Sequence, residues 1–262
     1  MTRNALDLVR LDGKTAVVTG GAGTLGRAIV RALAEAGALV VAASRDAEHC
    51  EQYARELSRE GLRVEGARCD LASEQEIRDL RDTVVAGHRT VDVVFNNALA
   101  RHGGDLRHTT AAEFEASLQV NATGLMLACQ LFSEPMQEKR SGSIVNIGSI
   151  YGSVSPDFPL YEGMRAGNRI DYAFVKGGML NLTRYLACYL APFGVRVNCL
   201  SPGAIQTPNL PATFVSSFSQ RVPLGRLADA WEMQGAALFL ASDASTYVTG
   251  QNIVVDGGWT AI

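Results

Sequence analysis

The stretch Thr15–Gly37, TAVVTGGAGTLGRAIVRALAEAG, decides how the chain folds. TAVVT is a short β-branched run, the pattern of a strand covered on both faces. LGRAIVRALAEAG then repeats apolar side chains at helical spacing and ends on Gly37, a residue suited to stopping a helix. Between the two lie Gly20, Gly23 and Gly26. A glycine turn from strand to helix leaves backbone N–H groups free at the positive end of the helix dipole, where a pyrophosphate can sit. Gly20, Gly23, Thr24, Leu25 and Gly26 are therefore the expected phosphate-binding residues of a dinucleotide cofactor.

The same kind of unit recurs along all 262 residues. Further strand-like runs fall at 38–43, 63–69, 91–96, 143–147, 195–200 and 252–256, with amphipathic segments such as 112–132 and 173–194 between them. Alternating β and α units predict an α/β fold, a Rossmann-like doubly wound parallel seven-stranded sheet with helices on both faces. The whole of 1–262 reads as one domain, with strands covered on both sides. Ligands of such sheets bind at the carboxyl ends of the strands, so every site residue should follow a strand.

Composition narrows the function. A formal net charge of −3 leaves no basic footprint, so nucleic acid is not an expected partner. No run approaches the roughly 18 apolar residues of a membrane helix, and the first ten residues lack a signal-peptide pattern. Five dispersed cysteines and four histidines show no metal-ligand spacing. They predict reduced thiols in a cytoplasmic protein and no metal site.

The second strand runs into Ser44, Arg45 and Asp46, where an NAD-binding unit places an acidic side chain on the ribose. Arg45 can instead grip a 2′-phosphate with a bidentate fork, and Ser44 adds a hydroxyl, which favours NADP over NAD. The competing reading leaves Arg45 in solvent and gives the ribose to Asp46. Asp70 and Leu71 follow the third strand, where the Asp70 carboxylate can accept from the adenine amino group. Ser73 is the better helix cap there.

Tyr172 and Lys176 stand four apart at the start of a helix and so project from one face. A tyrosine is ordinarily too weak an acid for proton transfer at neutral pH. A neighbouring ammonium stabilises the phenolate and lowers its pKa. Ser149 follows the fifth strand, in NIGSIYG.

Taken with NNA at 96–98, VNATG around Asn121, SPGAIQT at 201–207 and VTGQNIVVDGG near the end, these segments resemble the short-chain dehydrogenase/reductase family over nearly the whole chain. The resemblance is to its shorter, single-domain branch with an Asn-Ser-Tyr-Lys tetrad. It implies that Tyr172 exchanges a proton with the substrate oxygen and that Ser149 hydrogen-bonds that oxygen. It implies also that Lys176 holds the nicotinamide ribose, and that Asn121 anchors a water leading to Lys176. Asn97, Ala98, Pro202, Gly203, Ile205 and Thr207 would line the cofactor, which Tyr172 and Lys176 also touch. Many relatives are tetramers that pair the helices carrying Asn121 and Tyr172 and the last strand, so a homotetramer is expected.

The glycine loop fits two spacings. TGxxGxxG is similar to the loop of longer sugar-nucleotide epimerases and dehydratases, whereas TGxxxGxG belongs to the shorter enzymes and puts Thr24 where glycine is usual. NNA, the tetrad and PGAIQT favour the shorter ones, leaving Gly23 as an added flexible position. A catalytically silent nucleotide-binding protein is disfavoured by the complete tetrad.

Two departures from the family's pattern bear on the substrate. Leu99 replaces the last glycine of NNAG, and Ser149 and Tyr172 are 23 residues apart where about a dozen is usual for the family. The extra segment carries Asp157, Tyr161, Glu162, Arg165 and Arg169. Tyr161 is followed four places on by arginine and is not the expected base. The segments at about 150–171 and 206–226, the latter with Phe214 and Phe218, are the expected substrate loops. Mixed charge predicts a small polar carbonyl or alcohol, such as a sugar, polyol or hydroxy acid; the competing reading makes the segment a solvated lid or subunit contact. A 3-oxoacyl-thioester reductase of the same family is the alternative.

Overall fold

The chain's structure, a computed structural model, describes residues 4–162 and 169–262; Arg165 and the rest of 163–168 lie outside them. In chain order it runs β1 (Thr15–Thr19), α1 (Thr24–Glu35), β2 (Leu39–Ser44), α2 (Ala47–Arg59), β3 (Val64–Arg68), α3 (Glu74–His88) and β4 (Val93–Asn96). There follow α4 (Ala111–Leu118), a π-helical segment (Gln119–Gly124), α5 (Leu125–Glu138), β5 (Gly142–Ile147), α6 (Ile170–Leu190), β6 (Val195–Pro202), α7 (Ala212–Ser219), α8 (Gln234–Ala241) and β7 (Asn252–Val255).

The seven strands form one sheet in the order β3-β2-β1-β4-β5-β6-β7, and every pair is parallel. The order reverses between β1 and β4, which opens a crevice at their carboxyl ends. Strand alternation explains the two cores. Val17, Val94, Ile144 and Val197 face one side and pack with Leu80, Phe132 and Leu190 from α3, α5 and α6. Ala16, Val18, Phe95 and Val145 face the other, against Ile29, Leu33, Leu57 and Leu240 from α1, α2 and α8.

Three expectations need adjusting. All of β1 is buried, but β3 buries only Val64 and β7 buries none of its residues fully. These two are the sheet edges, where coverage on both faces ends. The segment 112–132 is not one helix, because the π-helical turns between α4 and α5 shift the register around Asn121. Gly23 caps α1 in an extended conformation open to any residue, so its backbone requires no added flexibility.

Candidate active site

The carboxyl ends of β1, β4, β5 and β6 surround a cleft of about 650 Å³. Its cofactor wall is the glycine turn. Gly20 has φ +65, and a Cβ there would come within 2.9 Å of the Ala98 Cα. A Cβ on Gly26 would lie 2.0 Å from the Gly20 carbonyl oxygen. The first turn of α1 can therefore approach the loop only as glycine, which leaves its N–H groups bare beside Thr24 and Leu25. Those five residues line the cleft together, and the loop fits a pyrophosphate. Asn97 braces the turn, its Nδ2 donating to the Thr19 and Gly20 carbonyls at 3.1 and 3.0 Å. Asn97, Ala98, Pro202, Gly203, Ile205 and Thr207 all line the same cleft.

The residues expected at the adenosine end do not line this cleft. Ser44 ends β2 and Arg45 follows it; the Ser44 hydroxyl donates to the Asp46 carbonyl at 2.6 Å, so its donor is already used. The Asp46 carboxylate caps α2 through the His49 N–H. Arg68 Nη1 donates to the Arg45 carbonyl at 2.8 Å, bringing a second guanidinium that sequence reasoning missed. Asp70 holds the Ala72 N–H with one oxygen, and Ser73 caps α3 as expected. The Leu71 side chain belongs to the core and lines a second, smaller cavity together with Asn121 and Lys176.

Ser149, Tyr172 and Lys176 converge on the cleft floor. Lys176 is buried, and its Nζ donates to the Ile147 carbonyl. Burial pushes its pKa down to about 8, with Cys199 opposing and the Arg101 charge adding. The ammonium lies 5.6 Å from the centre of the Tyr172 ring. Tyr172 departs from expectation: burial raises its pKa above the ordinary tyrosine value, while the Ser149 hydroxyl and the Arg101 charge pull it back. In the protein alone, removal from water outweighs the Ser149 hydroxyl and the Arg101 charge.

Asn121 does not touch the cleft. Its Oδ1 accepts from the Ala100 N–H at 2.9 Å, and its Nδ2 donates to the Ala100 carbonyl and Ser117 Oγ at 2.8 and 3.0 Å. Ser117 Oγ in turn donates to Asp171 Oδ2. Beside this chain a cavity of about 10 Å³, the room one water needs, joins Asn121 to Lys176. Asn96 also lines it and has a buried Oδ1 with no partner among the described residues.

The described residues of 150–162 and 206–226 form one roof. Ile150 and Leu160 from the first pack with Phe214, Phe218 and Val222 from the second, and Phe218 stacks on Trp259 at 4.3 Å. Asp157 pairs with Arg221 across them, so its charge ties loop to loop instead of facing a substrate. Tyr161, rejected as the base, still lines the cleft, and its hydroxyl meets that of Tyr151 at 2.7 Å. Arg169 lines the cleft as well, while Glu162 does not.

A family model described as enoyl-(acyl carrier protein) reductase matches residues 20–260. The chain belongs to the short-chain dehydrogenase/reductase family. It is 36% identical over 253 residues to cis-4-hydroxycyclohexanecarboxylate dehydrogenase of Sinomonas cyclohexanicum, covering 95% of this chain and 97% of that one. It is 34% identical to a 3-oxoacyl-(acyl-carrier-protein) reductase of Thermotoga maritima, covering 95% and 99%. The structure of a gluconate 5-dehydrogenase from Burkholderia cenocepacia in complex with NADP and tartrate superposes with a TM-score of 0.90 at 32% identity, covering 99% and 100%. This short-chain dehydrogenase/reductase is therefore a nicotinamide-dependent oxidoreductase of carbonyl and alcohol groups.

In this dehydrogenase/reductase, Leu99 occupies the glycine's place without a left-handed backbone. It is not among the residues with positive φ, and its side chain walls both the cleft and the 10 Å³ cavity. Sequence reasoning missed Arg101, Tyr151 and Asp171, which also line the cleft. Each lies within two residues of a quoted motif, so position after a strand, or beside Tyr172, was the signal available.

Proposed function

We propose that the protein reduces a small polar ketone, or oxidises the matching secondary alcohol, with NADP preferred. The observation that carries this reading is the convergence of Ser149, Tyr172 and Lys176 on a cleft whose other wall is the glycine turn. The nicotinamide cofactor supplies or accepts the hydride. Tyr172 gives its phenolic proton to the carbonyl oxygen in reduction and takes it back in oxidation. Ser149 donates a hydrogen bond to the same oxygen as negative charge develops there. Lys176 holds the nicotinamide ribose and supplies the cation that steadies a phenolate.

A water in the 10 Å³ cavity would meet the orphaned Asn96 Oδ1 and pass protons to Lys176. The Asn121 side chain is committed to Ala100 and Ser117, so the main chain of the π-helical segment is left to bind that water. Arg45, with Arg68 beside it, favours a 2′-phosphate, and the capping role of Asp46 weakens the NAD alternative. The Asp70 carboxylate has an oxygen free of Ala72 for the adenine amino group.

The Tyr151–Tyr161 hydroxyl pair and Arg101 support a polar substrate. The 34% identity to an acyl-carrier-protein reductase favours an acyl thioester as the second reading. A homotetramer is supported by exposed Phe174, Tyr185 and Tyr189 on α6 and by the uncovered Val254 on β7. Four of the five free cysteines are buried, which suits a reducing cytoplasm. Among the described residues no helix is long and apolar enough to cross a membrane.

A turnover screen of sugars, polyols, hydroxy acids and acyl thioesters with NADPH and NADH tests this reading. Turnover of a polar alcohol or ketone with NADP(H) ahead of NAD(H) is expected. Faster turnover of acyl thioesters, or tighter binding of NADH, would overturn it.

A further inference from the structure

The cleft contains a cation that the protein leaves unneutralised. Arg101 lies five residues beyond the end of β4 and lines the cleft with Ser149 and Tyr172. Among the described residues its guanidinium has no ion pair and no hydrogen bond. Arg27, Arg31, Arg81 and Arg226 each hold a glutamate at close range, whereas Arg101 stands open within a concave site. A planar fork of donors left open in a concave site is suited to receive an anion.

The surrounding charges leave that role to Arg101. Arg169 also lines the cleft and its side chain is likewise without a hydrogen bond or ion pair among the described residues, but it is less exposed than Arg101 and lies near the Glu113 carboxylate in the capping box of α4. Lys176 is buried, donates to the Ile147 carbonyl and has the nicotinamide ribose as its proposed further partner. Asp171 is the cleft's only lining carboxylate among the described residues; it is 1% exposed, and its Oδ2 receives Ser117. Asp157, the acid nearest in the roof, is held by Arg221. The cleft therefore offers more positive than negative charge. Arg101 is the exposed member, close enough for its field to act on both Tyr172 and Lys176.

We propose that Arg101 receives a carboxylate of the substrate, which makes that substrate a hydroxy acid or oxo acid. This rests on the oxidoreductase reading above and selects among the polar substrates it allows. One open guanidinium matches the two oxygens of a carboxylate. A phosphate would call for further cations or a nest of free N–H groups, and the glycine turn already supplies that to the cofactor.

The test uses the full-length protein saturated with NADP and matched ligand pairs: cis-4-hydroxycyclohexanecarboxylate and its primary amide, and tartrate and its diamide. Dissociation constants and kcat/KM are measured for wild type, Tyr172→Phe, Arg101→Met and Arg101→Lys. For at least one pair the acid should outbind its amide by about 10- to 100-fold, as expected of a charge-assisted hydrogen bond in a partly exposed site. The ratio should persist in Tyr172→Phe, where chemistry is removed but the carboxylate contact is not. It should fall to near one in Arg101→Met and be partly retained in Arg101→Lys. Ratios cancel any effect of Arg101 on the titration of Tyr172, and an unchanged NADPH titration shows that each variant is folded.

A ratio near one for every pair in the wild type would overturn the proposal. So would a preference for acids that survives in Arg101→Met, or a phosphate monoester of the same skeleton outcompeting the acid. An Arg101-dependent acid preference without oxidation or reduction of any alcohol or ketone would sink the oxidoreductase reading and leave the carboxylate site standing.

Discussion

Tyr172 and Lys176 show how burial can reverse a simple electrostatic expectation. The i, i+4 spacing puts an ammonium near a phenol, yet both groups are shifted towards their neutral forms because both are removed from water. For Lys176 the folded pKa is about 8 against an ordinary 10.5, so the unfolded chain binds the proton more tightly. Stability of the cofactor-free protein from this group must then rise as pH climbs from 8 to 10.5, and is lowest below 8. Lys176→Met removes the buried charge at similar volume. It should stabilise the cofactor-free protein at pH 7, by an amount of order 3 kcal/mol, while abolishing turnover. The gain should vanish near pH 10.5, as denaturant titrations at the two pH values will show; an equal gain at both would contradict the assignment. The identities of the proposed tetrad were legible because its motifs are contiguous in sequence. Arg101 was not, because its significance lies in having no partner, and partners are a property of the fold.

At the scale of elements, the β1–α1 unit was readable in full. A β-branched run, a glycine turn and an amphipathic helix each demand their own backbone, and the three agree. Gly26 is the position that enforces the close approach, with a Cβ meeting the Gly20 carbonyl oxygen at 2.0 Å. Gly26→Ala should therefore push the helix away from the loop, at a cost of about 1–3 kcal/mol. It should also weaken NADPH binding at least tenfold, read by calorimetry and thermal unfolding. Binding at wild-type strength would show that the loop does not hold the phosphates. The π-helical segment was not readable, since apolar spacing through 112–132 is continuous and nothing in it marks a change of hydrogen-bond register. The roof was half legible: Phe214 and Phe218 line the cleft. The charges of the extra segment pointed to substrate, yet Asp157 turns to Arg221.

For the whole molecule, strand alternation and turn chemistry were enough to specify a seven-stranded parallel sheet, because parallel strands need crossovers and crossovers supply the two helical layers. What sits on the outer face of α6 is not written in that pattern. The stacked Tyr185 and Tyr189 lie 6.1 Å apart on an exposed surface. The proposed homotetramer predicts a sedimenting species of four 28.0 kDa chains, and a stable monomer would refute it. The central claim is that this molecule couples a nicotinamide cofactor to proton transfer at Tyr172. It is tested most directly by comparing wild type with Tyr172→Phe in two readouts, NADPH affinity and NADPH-dependent reduction of the best ketone from the screen. The account predicts near-wild-type affinity with turnover lowered by about 10²–10⁴-fold. Undiminished turnover in Tyr172→Phe would contradict it.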